Sequence, residues 1–215
     1  MDSLRQEAVD LLIARWIGPA NVHPKKWLTK PPGSFGFELY AGILIDLANL
    51  ADKYLIYAIL PQILLRMATN SYSYTFEEAV KGKTRPDGSL AQLNPNLLRK
   101  FVLGREKLYQ EYMQLRFGWL HESEDAQDDD DSDCTSRSRC KGARRKLAMS
   151  IFPLGKPCTH DVVSTKFPME YTRGLCDSCT EDASDMFSVG LEDLCDRLPA
   201  YFELPSWKDL RNMSN

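Results

Sequence analysis

Apolar residues recur at helical spacing along most of the chain, and an alternating strand pattern is absent from the clearest segments. Near the N-terminus this helical set comprises Leu4, Ala8, Leu11, Leu12 and Trp16. A loop rich in proline and glycine follows, and the pattern then predicts a helix over about residues 37–54 and another over about 56–69. Pro61 falls near the start of the second helix, where a proline is tolerated.

The middle of the chain carries the strongest helix signal. The sequence RPDGS predicts a turn with Pro86 at its first central position. Asn94 then predicts a helix cap, with Pro95 at the first helical position. The apolar face that follows predicts a long helix ending near Leu120, and it comprises Leu97, Leu98, Phe101, Val102, Leu108, Tyr112, Leu115 and Trp119.

The second half of the chain begins with an acidic run, residues 122–133, which is too polar to bury itself and is predicted to be a disordered loop. A helix is predicted over about residues 135–152, and prolines then break the chain until a last helix over about 177–196. The aromatic tail LPAYFELPSW follows. We therefore divide the chain into a helical region 1–120, an acidic linker 121–133 and a cysteine-containing helical region 134–215.

Composition is that of an ordinary globular protein, with 27 basic and 30 acidic residues among 215 and a net charge of −3. This balance gives no whole-chain argument for nucleic-acid binding. Charges interrupt the N-terminus before any signal-peptide core, and the most apolar stretch contains Asp46, Asp52 and Lys53. We expect no membrane partner and a cytoplasmic or nuclear location, where thiols stay reduced.

Two close pairs of cysteines are the main chemical signal. Cys134 and Cys140 lie in CTSRSRC, and Cys176 and Cys179 frame CDSC. A structural zinc site needs four soft ligands in a tetrahedron, and C-x2-C supplies two of them from one turn. The alternative is that these are packing thiols, since reduced cysteine behaves as a small buried hydrophobe. The cofactor prediction is one structural zinc, with these four cysteines as ligands.

Other chemistry is weakly indicated. Cys158 and His160 are spare ligands, and Cys195 lies on an apolar helix face and is predicted to be core. A redox role for CDSC would need a preceding strand, but KFPMEYTRGL is a poor one. No residue pattern pairs a nucleophile with a base. The protein is therefore predicted not to be an enzyme.

The basic run RSRCKGARRK has three interpretations. It could be a nuclear import signal or a nucleic-acid patch, or it could be the solvated face of a helix that turns Ala143, Leu147 and Ile151 inward. No aromatic residues are interleaved with it, which disfavours a single-strand platform. The solvated face is the preferred interpretation, and nucleic acid is the less favoured partner.

Several segments, in order, resemble parts of one family. LRQEAVDLL (4–12) and LIDLANLADKYLIYAILP (44–61) resemble the last helix of the BTB domain and the helices after it in basidiomycete fungal BTB/POZ domain-containing proteins. RPDGSLAQLNPNLLRKFVLGREKL (85–108) resembles their turn and long helix, and the two cysteine segments resemble theirs. CDRLPAYFELPSWKDL (195–210) resembles their closing motif, except that Cys195 stands where that motif has tryptophan.

The resemblance implies an all-α region that follows a BTB core. Together with the patterns above, it gives the fold class: an irregular helical domain with a long central helix, a disordered acidic loop and a zinc-clamped C-terminal subdomain. The implied function is a non-catalytic protein–protein interaction module, either a ubiquitin-ligase adaptor or a regulatory scaffold. We expect protein partners, and no BTB-type homo-oligomer, since the matching segments begin at that domain's last helix.

Two surfaces could serve this interaction, a helix groove or an exposed aromatic tail around Tyr201, Phe202 and Trp207. Such a tail can instead pack onto its own core. The alternative function is a zinc-stabilised nuclear regulator that binds nucleic acid through the basic helix 137–146, using Arg137, Arg139, Arg144, Arg145 and Lys146.

Overall fold

The computed structural model describes residues 42–69, 76–120, 134–151 and 167–212, together with Glu7 and Leu11, which are both helical. These residues form an all-α protein with one two-stranded sheet, as the sequence predicts for the fold class. Two compact units are present: residues 1–109 with 195–215, and residues 110–194. No described helix is both long and apolar enough to cross a membrane.

The first unit is built around two helices, α1 (Ile43–Lys53) and α2 (Leu60–Ala68). A 3-10 turn at Tyr57–Ile59 leads into α2, and every residue of α2 is buried. Pro61 lies in the first turn of α2, where its missing N–H costs no helical hydrogen bond. Both helices were predicted, with ends that differ by a few residues.

A short helix and a hairpin follow. Helix α3 (Phe76–Lys81) precedes strands β1 (Lys83–Thr84) and β2 (Leu90–Ala91), which pair antiparallel with Thr84 opposite Leu90. The predicted turn is confirmed, because the N–H of Gly88 donates to the carbonyl of Arg85 at 2.9 Å around Pro86. The strands were not predicted, since two residues are too few to show a period of two.

Polar side chains of α1 hold the hairpin and the start of the next helix. Arg85 donates to both carboxylate oxygens of Asp46, at 2.8 and 2.6 Å. The side chain of Asn49 donates to the carbonyl of Gln92 and accepts the N–H of Asn94. Three of these four bonds are partly buried, and together they fix the hairpin on α1 and place Asn94 at the point where the long helix begins.

Helix α4 (Pro95–Phe117) is the predicted long helix. Its cap is confirmed, because the side-chain oxygen of Asn94 accepts the N–H of Leu97 at 2.9 Å. A 3-10 turn at Gly118–Leu120 extends it to the predicted end.

The second unit contains helix α5 (Arg137–Ile151), a 3-10 turn at Met169–Thr172 and most of helix α6 (Asp177–Tyr201). Edge-to-face aromatic pairs form part of its core. Phe117 lies 5.8 Å from Phe187 and 6.1 Å from Tyr171 between ring centroids, and Phe167 lies 5.4 Å from Phe187.

A buried cation completes this core. Arg116 is fully buried, with its guanidinium 3.4 Å from the centroid of the Phe187 ring and its Nε donating to the Phe187 carbonyl. Gly190 permits this approach, because a Cβ there would lie 2.4 Å from the carbonyl oxygen of Leu115.

The closing segment packs within the first unit. Helix α6 runs five residues beyond its predicted end at Asp196, and helix α7 (Trp207–Asn212) packs on the 3-10 turn Tyr57–Ile59. Tyr201 and Phe202 are buried, and Trp207 is partly buried. The hypothesis of an exposed aromatic tail is therefore wrong, because these rings are used in the protein's own core.

The compact units differ from the division drawn from sequence, which placed the closing segment with the cysteine region. A physical reason is the close packing of Phe202 on Gly104 of α4, where a Cβ would lie 2.3 Å from the ring. The predicted linker 121–133 lies outside the described residues.

Candidate metal centre

The four predicted cysteines lie at the starts of two helices. Cys134 precedes α5, and Cys140 is the fourth residue of that helix. Cys176 immediately precedes α6, and Cys179 is its third residue. Each helix therefore supplies one cysteine from just outside its first turn and one from within it.

The sulfur atoms form a single cluster. All four Sγ atoms lie within 4.8 Å of one another, and Cys134 and Cys176 are separated by 3.9 Å. Zn–S bonds of about 2.3 Å in a tetrahedron require sulfur–sulfur distances of about 3.8 Å. Small side-chain rotations would bring the longer separations to this value. None of the described cysteines forms a disulfide, so their sulfurs are available as ligands.

A glycine brings the second helix start close to the first helix. Gly174 adopts a φ of +88°, which favours glycine, and a Cβ at this position would lie 3.1 Å from the Cβ of Ala143 on α5. Leu175 packs against the cysteine cluster just after this turn. The close approach places Cys176 beside Cys140, whose Sγ accepts the N–H of Cys176 at 3.2 Å.

Cys176 occupies the N-cap position of α6. Its carbonyl accepts the N–H of Thr180, the first hydrogen bond of the helix. The pKa of its thiol is lowered to about 6, first by the hydrogen bond that its sulfur accepts from the backbone N–H of Cys179 and further by one from Thr135. A thiolate at a helix N-terminus is stabilised in the same way as a capping carboxylate, and it is the form that binds metal.

Arg144 brings a positive charge to the cluster. It lies one turn after Cys140 on α5, and its Nη2 donates to the Sγ of Cys179 at 3.4 Å. Burial raises the pKa of the Cys179 thiol, and the charge of Arg144 opposes that shift. Burial is also the main cause of the raised pKa of Cys140. The guanidinium therefore favours the thiolate where burial disfavours it.

The donor set fits a structural metal. Cys140, Cys176 and Cys179 are buried and Cys134 is partly exposed, so four sulfurs enclose one small volume. Four thiolates are the ligand set of closed, tetrahedral structural zinc sites. Such an ion would join the start of α5 to the start of α6.

None of the other candidate ligands named from the sequence is found in the described cluster. Cys195 is buried in the core, as predicted. Cys158 and all three histidines lie outside the described residues. The predicted inward face of α5 is confirmed for Ala143, Leu147 and Ile151, which are partly or fully buried.

Two further residues, Arg144 and Gly174, contribute to the centre and were not predicted from the sequence. Arg144 was assigned to the basic surface, although its spacing of four from Cys140 puts both on one helix face. Gly174 was not singled out, but a glycine two residues before a ligand is a signal for a tight turn.

No family model, curated protein or solved structure matches the chain.

Proposed function

We propose that this protein is a non-catalytic interaction module whose cysteine-bearing unit is stabilised by one structural zinc ion. The observation that carries the proposal is the cluster of four sulfurs, all within 4.8 Å of one another, at the starts of α5 and α6. A cytoplasmic or nuclear location suits this role, because thiols there remain reduced and available to metal.

The closed donor set supports a structural role over a catalytic one. Catalytic zinc sites use three protein ligands and leave the fourth position to water or substrate. Here four cysteines can fill every position, so the ion would have no site left for a substrate. An ion held in this way contributes to folding, since its binding energy depends on ligands that only the folded chain brings together.

Metal analysis of the purified chain tests the proposal. Protein prepared without chelator should carry about one zinc per chain, and chelation under reducing conditions should lower the helical signal in circular dichroism. Cys179→Ser should lose the zinc, while the control Cys195→Ala, which changes a buried cysteine outside the cluster, should retain it. A zinc content far below one per chain in the wild type would contradict the proposal.

The first unit offers a surface for a protein partner. Leu50, Tyr54 and Leu55 are exposed around the end of α1, and Leu55 is 56% exposed. Leu55 also adopts a φ of +60°, a conformation that costs a branched L-residue about 1–2 kcal/mol. Several exposed apolar side chains at one helix end support a surface for a protein partner.

The BTB resemblance suggests the kind of partner. Its support is the order of the matching segments along the sequence, and it implies a ubiquitin-ligase adaptor or a regulatory scaffold. Binding of the purified chain to a recombinant cullin N-terminal domain, measured by calorimetry, tests the adaptor role. Micromolar or tighter binding that Leu55→Gly weakens would support it, whereas absence of binding would exclude the adaptor and leave the scaffold.

A second candidate function rests on the exposed face of α5. This helix contains no acidic residue. Among the described residues, no ion pair involves its exposed side chains Arg139, Lys141, Arg145 or Lys146. Such a face is suited to the phosphates of a nucleic acid. Arg144 is not part of it, because its guanidinium is directed to the cysteine cluster.

Salt dependence tests this second candidate. Phosphate contacts would make the affinity for a DNA duplex fall steeply between low and physiological salt. Replacing Arg145 and Lys146 with glutamine should reduce that slope by about 2. Replacing Lys81 and Lys83 of the first unit with glutamine gives a control of equal charge change. Equal effects of the two pairs would contradict a role for the α5 face.

A further inference from the structure

The four sulfurs are not equivalent in access to solvent. Cys140, Cys176 and Cys179 are 2%, 6% and 3% exposed, whereas Cys134, which precedes α5, is only partly buried. A small oxidant from solvent would therefore meet the sulfur of Cys134 first. Nucleophilicity and access together decide which thiolate of a cluster is oxidised.

The sulfur best placed to react next is that of Cys176. It lies 3.9 Å from the sulfur of Cys134.

From this geometry we propose that Cys134 is an oxidation site for peroxides, and that its oxidation replaces the zinc with a Cys134–Cys176 disulfide. The proposal rests on the proposed zinc site. The Cys134 thiolate attacks one oxygen of the peroxide, so that an S–O bond forms, the O–O bond breaks and hydroxide leaves. The Cys176 thiolate then attacks the sulfenic sulfur of Cys134, which forms the S–S bond and expels a second hydroxide.

The electrons balance, because the two sulfurs together lose two and the peroxide gains two. Solvent protonates both hydroxides. Zinc keeps its charge, but it is left with two thiolate ligands and is released.

The oxidised form keeps the connection that the metal made. Cys134 immediately precedes the turn into α5 and Cys176 immediately precedes α6, so the disulfide joins the same two helix starts. Loss of zinc by oxidation and loss of zinc by chelation therefore have different consequences. Chelation releases both helix starts, whereas oxidation holds them covalently.

The experiment uses the full chain, purified with its metal and freed of reductant. The zinc content measured before oxidant is added tests the proposed function by itself. Hydrogen peroxide is then added while released zinc is followed with a colorimetric chelator, disulfides are mapped in non-reduced peptides, and helicity is followed by circular dichroism. We expect zinc release, a Cys134–Cys176 linkage and retained helicity, all reversed by a thiol reductant with added zinc.

Two variants sharpen the result. Cys134→His can keep zinc in a Cys3His site but removes the first thiol, so we expect peroxide to release its zinc at least about tenfold more slowly. Cys195→Ala is the control, and its release rate should equal that of the wild type. Zinc that stays bound in peroxide, a linkage between any other pair, or collapse of helicity in the oxidised wild type would each overturn the proposal, even where the zinc site itself is established.

Discussion

The indole N–H of Trp207 donates to the carbonyl oxygen of Cys195 at 2.9 Å. In a regular helix this carbonyl accepts the N–H of the residue four positions later, but that residue is Pro199, which has no N–H. The closing segment thus supplies a donor where the helix cannot. This explains how α6 continues through Pro199 to Tyr201.

Replacing Trp207 with phenylalanine removes the donor and keeps an aromatic ring. We expect Trp207→Phe to lower the free energy of unfolding by about 1 kcal/mol, the usual net contribution of one hydrogen bond. In a Pro199→Ala background the new N–H can donate to the same carbonyl, so the same substitution should cost less. Urea denaturation of the four proteins measures this coupling, and an equal cost in both backgrounds would refute it.

The start of α4 and the end of α6 show which parts of the fold the sequence could predict. Asn94 and Pro95 marked a helix start correctly, because the cap is formed by residues three positions apart. Pro199 did not mark the helix end, because the missing hydrogen bond is replaced by Trp207, which lies beyond the helix. Local patterns predict elements well, whereas elements that depend on a distant donor need the tertiary structure.

Leu55 lies two residues after the end of α1 and adopts a left-handed backbone conformation. Its N–H donates to the carbonyl of Asp52, and the N–H of Ile56 donates to that of Ala51, a C-terminal motif that glycine usually completes. We expect Leu55→Gly to raise the free energy of unfolding by about 1 kcal/mol, because the strain on the leucine is removed. The control is Leu90→Gly, at an exposed strand position with ordinary φ, which should not stabilise. Thermal and urea denaturation measure both changes.

Acid should release the zinc at a higher pH when Arg144 is replaced by an uncharged residue. Burial raises the pKa of Cys179 and the guanidinium opposes this, so Arg144→Met should raise that pKa further. A proton then competes with zinc at a higher pH. The midpoint of zinc release on acidification should therefore move upward, by about half a unit to one unit. Colorimetric detection of released zinc across a pH series measures the midpoint.

Arg145 provides the matched control for this shift. It is the next residue of α5, carries the same charge and is exposed. Arg145→Met should leave the midpoint almost unchanged, because solvent screens a charge that makes no contact with the sulfurs. Equal shifts in the two variants would mean that net charge, and not the contact with Cys179, sets the acid sensitivity.

In the candidate metal centre, the sequence was enough to predict the cysteine ligands but not the arginine beside them. Cysteine spacing was enough to name the four sulfurs that the structure brings together, because few residue types ligate soft metals. The role of Arg144 was not predicted, since a basic residue within a basic run is most often solvated. Its direction depends on how closely α6 approaches α5, which the sequence marks only by Gly174.

Two helical glycines in the second unit differ in whether a side chain would fit at their position. Gly190 in α6 and Gly142 in α5 both lie inside helices. A Cβ at Gly190 would lie 2.4 Å from the carbonyl oxygen of Leu115, whereas at Gly142 nothing lies within 4 Å. In an open helix, Gly→Ala stabilises by about 0.5–1 kcal/mol.

We therefore expect Gly142→Ala to raise the free energy of unfolding by about 0.5–1 kcal/mol and Gly190→Ala to lower it by about 1–3 kcal/mol. The loss at Gly190 arises because backbone atoms of α4 would have to move, and they carry Arg116 against the Phe187 ring. Denaturation followed by circular dichroism at constant zinc measures both. If Gly190→Ala stabilised the protein as Gly142→Ala does, the close packing of α4 on α6 within this unit would be wrong.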